Sequence, residues 1–354
     1  MKTLISLKTL PVLLLLFVVT VTPVLAGPVY WDWPRDRPFE ELDLDGAALD
    51  ADGNLVGGLA MREIGPAGPE VFWRVVPDGR GGFIAGSGHG GEIYRVTLDG
   101  DITMVAQLEA TEVFSLLPRA DGSLLVGCGP EGGFYLLDDQ GDETQLGSVA
   151  GGYVWAMAAR PGDGDEVWLA TGSPASVYRY RARDDLLEEV LTLPAQNALD
   201  LTFDDQGRLW VATQGPGLVY RLHPDRPEEA EVLLETDQDE ARQFLRGPEG
   251  GLFMLALQPE EFGMAGINGD GGNGNGPPPA LLALLEDAGG PSIDRAALYH
   301  LDAPGGVRRH WSGPLDLMIA AWSPERGWLA AGPLEPGGDR SILHRLTPPA
   351  GHQP

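Results

Sequence analysis

Apolar positions along this chain fall in short runs of four to six residues, separated by polar turns that contain glycine. The helical spacing of an amphipathic segment is absent from these runs. The runs recur. One set reads EIYRV at 92–96, GFYLL at 133–137, SVYRY at 176–180, LVYRL at 218–222, ALYHL at 297–301 and SILHRL at 341–346. Its tyrosines Tyr94, Tyr135, Tyr178 and Tyr220 are 41, 43 and 42 residues apart. A second set precedes it, with GFIAG at 82–86, VWLAT at 167–171 and LWVAT at 209–213 among its members. A third set comes before that and ends in an acidic-glycine turn, as at Asp78-Gly79 and Asp121-Gly122. The lag from third-set to second-set runs is 12 residues in four copies: 71 to 83, 113 to 125, 198 to 210 and 241 to 253.

Short apolar, aromatic and β-branched runs closed by glycine turns predict β-strands joined by hairpins. A meander of three or four strands cannot bury both of its faces alone. Stacking such meanders around an axis buries both faces and leaves few edges. The expected fold is therefore all-β, a propeller of about seven four-stranded antiparallel blades, with six as the alternative and a linear β-solenoid well behind. Six full repeats are evident. A degenerate seventh begins near Leu44, with Asp52-Gly53 and residues 54–56 in register, and residues 29–33 (VYWDW) are expected to supply a closing outer strand. One insertion breaks the period. Phe253 and Tyr299 lie 46 residues apart, where the corresponding lag elsewhere is 10 or 11. The insertion, at about 258–292, includes the tract NGDGGNGNGPPP and reads as a flexible loop rather than a Ca²⁺ site built on Asn268, Asp270 and Asn273.

The N-terminus has a different pattern. Lys2 and Lys8 precede the apolar run 10–19, and Val24-Leu25-Ala26 offers small residues before Gly27. That order predicts a secretory signal peptide over 1–26, a single propeller domain over 27–354, and an exported protein, periplasmic or extracellular. No later apolar run reaches the length of a membrane helix, so no membrane span is expected. The net charge is −28, and Lys2 and Lys8 are the only lysines. Such a chain should repel nucleic acid and suits cations, cationic partners or neutral ligands. The acidity fits a well-solvated surface, or a high-salt habitat that screens self-repulsion. Cys128 is the single cysteine, so no internal disulfide forms, and it falls in a slot that takes small residues in other repeats.

Several candidate chemistries resolve into structure. Residues 86–91 and 127–132 match G-x-G-x-x-G, but each is followed by a repeat strand, so both read as hairpins rather than dinucleotide cradles. His300 and His344 replace repeat residues, whereas His89 lies in a hairpin loop on the ligand-facing side. No nucleophile–base set can be assembled. The first strands should border the central channel, and Glu70, Glu112, Tyr153, Asn197 and Glu240 stand at their entrances. Asp200 and Gln243 interrupt apolar strands at equivalent positions, with Arg242 beside the latter. A polar residue in such a strand needs a partner or water. These eight positions are the candidate channel ligand-binding set, and the catalytic residues are unknown.

The wording of residues 201–222 (LTFDDQGRLWVATQGPGLVYRL) resembles the repeat of two-component-regulator-type and NHL-like propellers, as does 154–180. The resemblance covers roughly residues 44–347 without the insertion. It implies the fold, and a non-catalytic binding or scaffold role for a protein, peptide or glycan ligand. The gluconolactonase/senescence-marker family shares the architecture and holds one divalent cation such as Ca²⁺ in its channel. Similarity to it implies an alternative, a metal-dependent hydrolase with Glu70, Asn197 and Asp316 as ligands.

Overall fold

The computed structural model describes residues 47–49, 55–57, 71–258, 295–302, 306–313, 317–324, 327–333 and 341–346. The chain divides into two compact units, Met1–Arg62 and Glu63–Pro354. In the smaller unit, β1 (Ala47–Leu49) and β2 (Leu55–Gly57) form an antiparallel hairpin where the degenerate repeat was expected. The signal-peptide and closing-strand expectations lie outside the described residues, as does the insertion beyond Gln258.

The larger unit is a succession of antiparallel meanders. The first is β3 (Phe72–Pro77), β4 (Phe83–Ser87), β5 (Glu92–Val96) and β6 (Ile102–Gln107). The second is β7 (Glu112–Pro118), β8 (Leu124–Gly129), β9 (Gly133–Leu137) and β10 (Glu143–Ser148). The third is β11 (Tyr153–Arg160), β12 (Asp163–Gly172), β13 (Ser176–Arg181) and β14 (Leu186–Thr192). The fourth is β15 (Asn197–Phe203), β16 (Leu209–Gln214), β17 (Leu218–His223) and β18 (Arg226–Glu235). The fifth is β19 (Glu240–Arg246), β20 (Leu252–Leu257), β21 (Ala296–His300) and β22 (Arg308–Gly313). The sixth has three described strands, β23 (Ile319–Ser323), β24 (Gly327–Pro333) and β25 (Ser341–Leu346). The insertion leaves β20 and returns at β21, and these two strands pair directly.

Second strands are the most deeply buried; β8 and β20 are buried at every position. Their large side chains explain the Tyr-Arg motif of the third strand. Trp168 pairs across the ladder with Arg179, and Trp210 with Arg221. Each guanidinium sits 5.6 Å from the indole centroid, and each also donates to a carboxylate, Glu188 or Glu231. In the fifth meander Phe253 takes the tryptophan's place and His300 the arginine's, their rings stacked at 4.2 Å. The reading of His300 as a structural replacement therefore has a geometric basis: a flat ring keeps the stack on the second-strand aromatic.

The acidic-glycine turns work as local caps. Asp204 Oδ1 accepts from the N–H groups of Gln206 and Arg208, and Gly207 follows at φ +74°. Asp204 Oδ2 accepts from Trp210 Nε1 at 2.9 Å and from Arg208 Nε at 2.7 Å. Burial alone would raise this carboxyl, but these bonds from Trp210, Arg208 and Gln206 hold it below the ordinary range. A carboxyl depressed in the folded state stabilises above its unfolded pKa, and that contribution is lost as pH falls through the lower folded value. We expect Asp204→Asn to be less stable than wild type at neutral pH. The gap should close as pH falls below about 4, as read by urea unfolding from neutral to acid pH.

Consecutive first strands lie against one another, β3 with β7, β7 with β11, β11 with β15, β15 with β19 and β19 with β23. Side chains just inside the strands fasten neighbours together. Ser115 Oγ donates to Val154 O at 2.9 Å, Asp200 Oδ2 accepts from Phe244 N at 2.7 Å, and Gln243 Oε1 accepts from Ala320 N at 3.4 Å. Arg74 on β3 and Asp200 on β15 interact electrostatically although two meanders lie between theirs. Stacked sheets stand about 10 Å apart, so a linear array would hold these groups beyond effective reach. The first strands of the larger unit curve round a common axis.

Candidate functional site

A β-bulge recurs at one place in the first strand of five meanders. Pairing runs from Phe72 to Arg74, Val113 to Ser115, Val154 to Ala156, Ala198 to Asp200 and Ala241 to Gln243, each time skipping one residue. The skipped residues are Trp73, Phe114, Trp155, Leu199 and Arg242. A bulge re-aims its extra side chain, and here it does so at the same height in successive strands.

The entrance residue stands two positions earlier. By this register Glu112, Tyr153, Asn197 and Glu240 hold equivalent places, and the first meander contributes Val71, whose carbonyl accepts from Gly88 N. The expected member Glu70 lies outside the described residues. A strand apolar at successive positions, VFWRVV, carries no period-two signal, so its phase was open by one residue.

Together these positions make one track over five meanders. Trp73 stacks on Phe114 at 5.8 Å, Phe114 meets Trp155 at 4.7 Å and Tyr153 at 5.6 Å, and Tyr153 stacks on Trp155 at 5.0 Å. Trp73 is 47% exposed, and the other three rings are half-buried. Glycine admits this packing: a Cβ at Gly129 would stand 2.5 Å from the Tyr153 ring, and one at Gly172 would stand 2.0 Å from Asn197 Oδ1.

The track continues as hydrogen bonds. Trp155 Nε1 donates to Asn197 Oδ1 at 3.3 Å, Asn197 Nδ2 donates to Gln214 Oε1 at 2.6 Å, and Gln214 Nε2 donates to Glu240 Oε1 at 2.6 Å. An indole can only donate and a carboxylate can only accept, so the two ends set the orientation of both amides between them. Asn197 and Glu240 are buried, and Arg242 stands 3.7 Å from Glu240 Oε2. Burial pushes the Glu240 carboxyl up and nearby Asp239 adds to this, against the pull of Arg242 and Gln214. Asp200 lies deeper. Burial raises its carboxyl too, opposed by Arg74, Arg242 and the N–H groups of Phe244 and Leu201. On the loop side, His89 Nδ1 is 3.5 Å from Glu112 Oε1.

Seven of the eight sequence-predicted channel positions are described. Tyr153, Asn197, Glu240 and Arg242 are joined in the track, Glu112 lies beside its aromatic end, and Asp200 and Gln243 fasten neighbouring strands below it. Sequence reasoning missed Trp73, Phe114 and Trp155, which are bulge residues, and Gln214, which stands where β8 and β12 end in glycine. Their shared phase within the repeat was the signal that could have found them.

Of the alternative ligand set only Asn197 is described, and its Oδ1 accepts from Trp155 Nε1 at 3.3 Å. Glu70 and Asp316 lie outside the described residues, and among the described residues no three His, Cys, Asp or Glu side chains gather as a metal site. Thermal unfolding with EDTA and then with Ca²⁺, Mg²⁺, Mn²⁺ or Zn²⁺ at fixed ionic strength tests this alternative, and a saturable shift for one ion would favour it. A tight site at 100 times its dissociation constant would add about 2.7 kcal/mol. Cys128 is buried and its thiol is pushed up to about 12, first by burial and then by Glu143, so it packs as an inert side chain.

The family model of the two component regulator propeller matches residues 192–215, which run from the end of β14 through β16. With curved, consecutive meanders already established, this decides the architecture. The chain is a repeat β-propeller. No curated protein sequence matches the propeller. Among solved structures it is similar to the Kuenenia stuttgartiensis hydrazine synthase, with TM-score 0.52 and 12% identity over 77% of each chain. It is also similar to the Staphylococcus aureus virginiamycin B lyase with quinupristin, with TM-score 0.44 and 13% identity over 52% of this chain. The propeller spans 63% of that lyase chain. A chain of a nidogen/laminin complex matches with TM-score 0.46 and 12% identity over 53% of the propeller and 72% of that chain. Identities this low bear on fold alone. Among the described residues no helix is long and apolar enough to cross a membrane.

Proposed function

We propose that this is an exported ligand-binding propeller whose ligand docks on the face carrying the aromatic and amide track. The observation that carries this is the continuity of the track: four aromatic rings and a three-bond relay connect side chains of five blades at one level. Core packing does not require a chain of buried amides ending in a carboxylate, and a few polar groups held at fixed angles beside aromatic rings are how binding sites fix orientation. The first three blades contribute bulge residues, and the fourth and fifth contribute strand-end residues Asn197, Gln214 and Glu240, so loops need not fold to build the site. Fluorophore-labelled Gly27–Pro354 would be applied to a printed array of peptides and glycans. Wild type should bind a subset of features, and Trp155→Ala should reduce that binding by about ten-fold or more. Binding unchanged in Trp155→Ala, or no feature bound by wild type, would overturn the proposal.

A further inference from the structure

We infer that the ligand of this track is a neutral saccharide, an inference that rests on the binding reading above. The molecule carries net charge −28, yet its track holds arginines beside its carboxylates. Arg242 stands by Glu240, and Arg74 and Arg242 both act on Asp200, while Glu112 stands by His89. A site for a cationic ligand leaves carboxylates unpaired to meet it. An anionic ligand is opposed by the field of the whole chain. The groups left with hydrogen-bonding capacity are mixed. Asn197 and Gln214 each spend one amide N–H within the relay and keep a second. The carboxylates of Glu112 and Glu240 keep acceptor lone pairs, and Arg242 keeps donors. Beside them lies the exposed face of Trp73, followed by Phe114, Tyr153 and Trp155.

A ligand that satisfies both halves has flat, weakly polar C–H faces to lie on aromatic rings and a rim of hydroxyls that both donate and accept. A pyranose ring has that chemistry. A peptide carries its donors and acceptors on a flexible backbone apart from its apolar side chains, whereas a pyranose holds both on one rigid ring, and a phosphate or sulfate offers acceptors without a face to stack. Relay polarity adds specificity. Because the Trp155 and Glu240 ends set both amides, the unused N–H groups point in fixed directions, and a hydroxyl pattern that mismatches them leaves a buried donor unpaired.

The test titrates the full mature chain with neutral hexasaccharides of glucose, mannose, xylose and N-acetylglucosamine, followed by tryptophan fluorescence. At least one should bind saturably. Its affinity should fall about ten-fold or more in Trp73→Ala, a partly exposed position where the variant retains its fold, and should be retained in Trp155→Phe to a greater degree than in Trp155→Ala. Affinity should not change between low salt and about 0.5 M NaCl, because no charge is neutralised on binding. Binding only to cationic or neutral peptides on the array, lost in Trp155→Ala, would overturn the saccharide inference and leave the binding reading intact. Saccharide binding that disappears at high salt would overturn it too. Absence of any bound feature would overturn both.

Discussion

Replacing Trp210 by alanine is expected to cost about 3–5 kcal/mol of folding stability. The side chain is 2% exposed and belongs to the core shared by the fourth and fifth blades, with Val219, Phe244, Met254 and Tyr299. Three interactions end with it. The buried apolar area is lost, Asp204 loses a 2.9 Å hydrogen bond from Nε1, and the Arg221 guanidinium loses the ring beneath it. Asp204 then remains within the fold with fewer donors, which adds the penalty of an under-satisfied buried carboxylate. The measurement is denaturant unfolding, read as a lower midpoint at unchanged slope. Trp210→Phe keeps most of the packing and should recover more than half of the loss. A Trp210→Ala protein within about 1 kcal/mol of wild type would mean that the second-strand aromatic does not anchor the blade.

The second large effect is expected at Asp200. Asp200→Leu keeps a similar volume and removes the carboxylate that accepts from Phe244 N of the next blade and from Leu201 N. It also leaves Arg74 and Arg242 facing an apolar group where a counter-charge stood. Removing one partner from a buried charged cluster costs about 3–5 kcal/mol. Asp200→Asn retains an acceptor for one backbone N–H and should cost clearly less. The sign with pH is opposite to that at Asp204. Burial raises the Asp200 carboxyl, so its ionisation works against folding above the raised value, and lowering pH through that value relieves the strain. Wild type therefore gains stability as pH falls and Asp200→Leu does not, so the penalty is smallest at neutral pH, where the comparison is most stringent, and grows towards acid. Equal stability of Asp200→Leu and wild type at neutral pH would show that the inner strands are held by packing alone.

Much of the fold was legible in the chain because each blade repeats its own local chemistry. Tyr94, Tyr178 and Tyr220 mark third strands, Trp168 and Trp210 mark second strands, and the acidic-glycine turns mark the hairpins between first and second. These residues satisfy local demands, a cross-strand partner or a turn, so their spacing alone reveals them. The candidate site was legible in its polar half, as positions that the structure joins by hydrogen bonds. Asn197, Glu240 and Arg242 stand out because polar groups at the start of an apolar strand require an explanation, and the structure supplies one in the relay. The aromatic half was hidden. Trp73, Phe114 and Trp155 in an apolar strand look like core, and only the bulge, a feature of pairing register rather than of composition, turns them into the track. Gln214 was hidden for a related reason. It ends a second strand, where its neighbours' glycines suggested only a tight approach of backbone, and its partner Glu240 is 26 residues away in the next blade.

A concave region lies at the opposite ends of the blades from the track. A groove of about 320 Å³ between the second and third blades is lined by Leu117, Arg119, Asp121, Ala159 and Asp165, at the opposite ends of the first strands from the track. Hydrogen exchange with the strongest array ligand bound distinguishes the two faces without any substitution. The account predicts added protection in the segments at 88–91, 129–132, 172–176, 214–217 and 237–242, which border the track, and none at 117–122 or 161–167. Protection confined to 117–122 and 161–167, with the track segments unchanged, would contradict it.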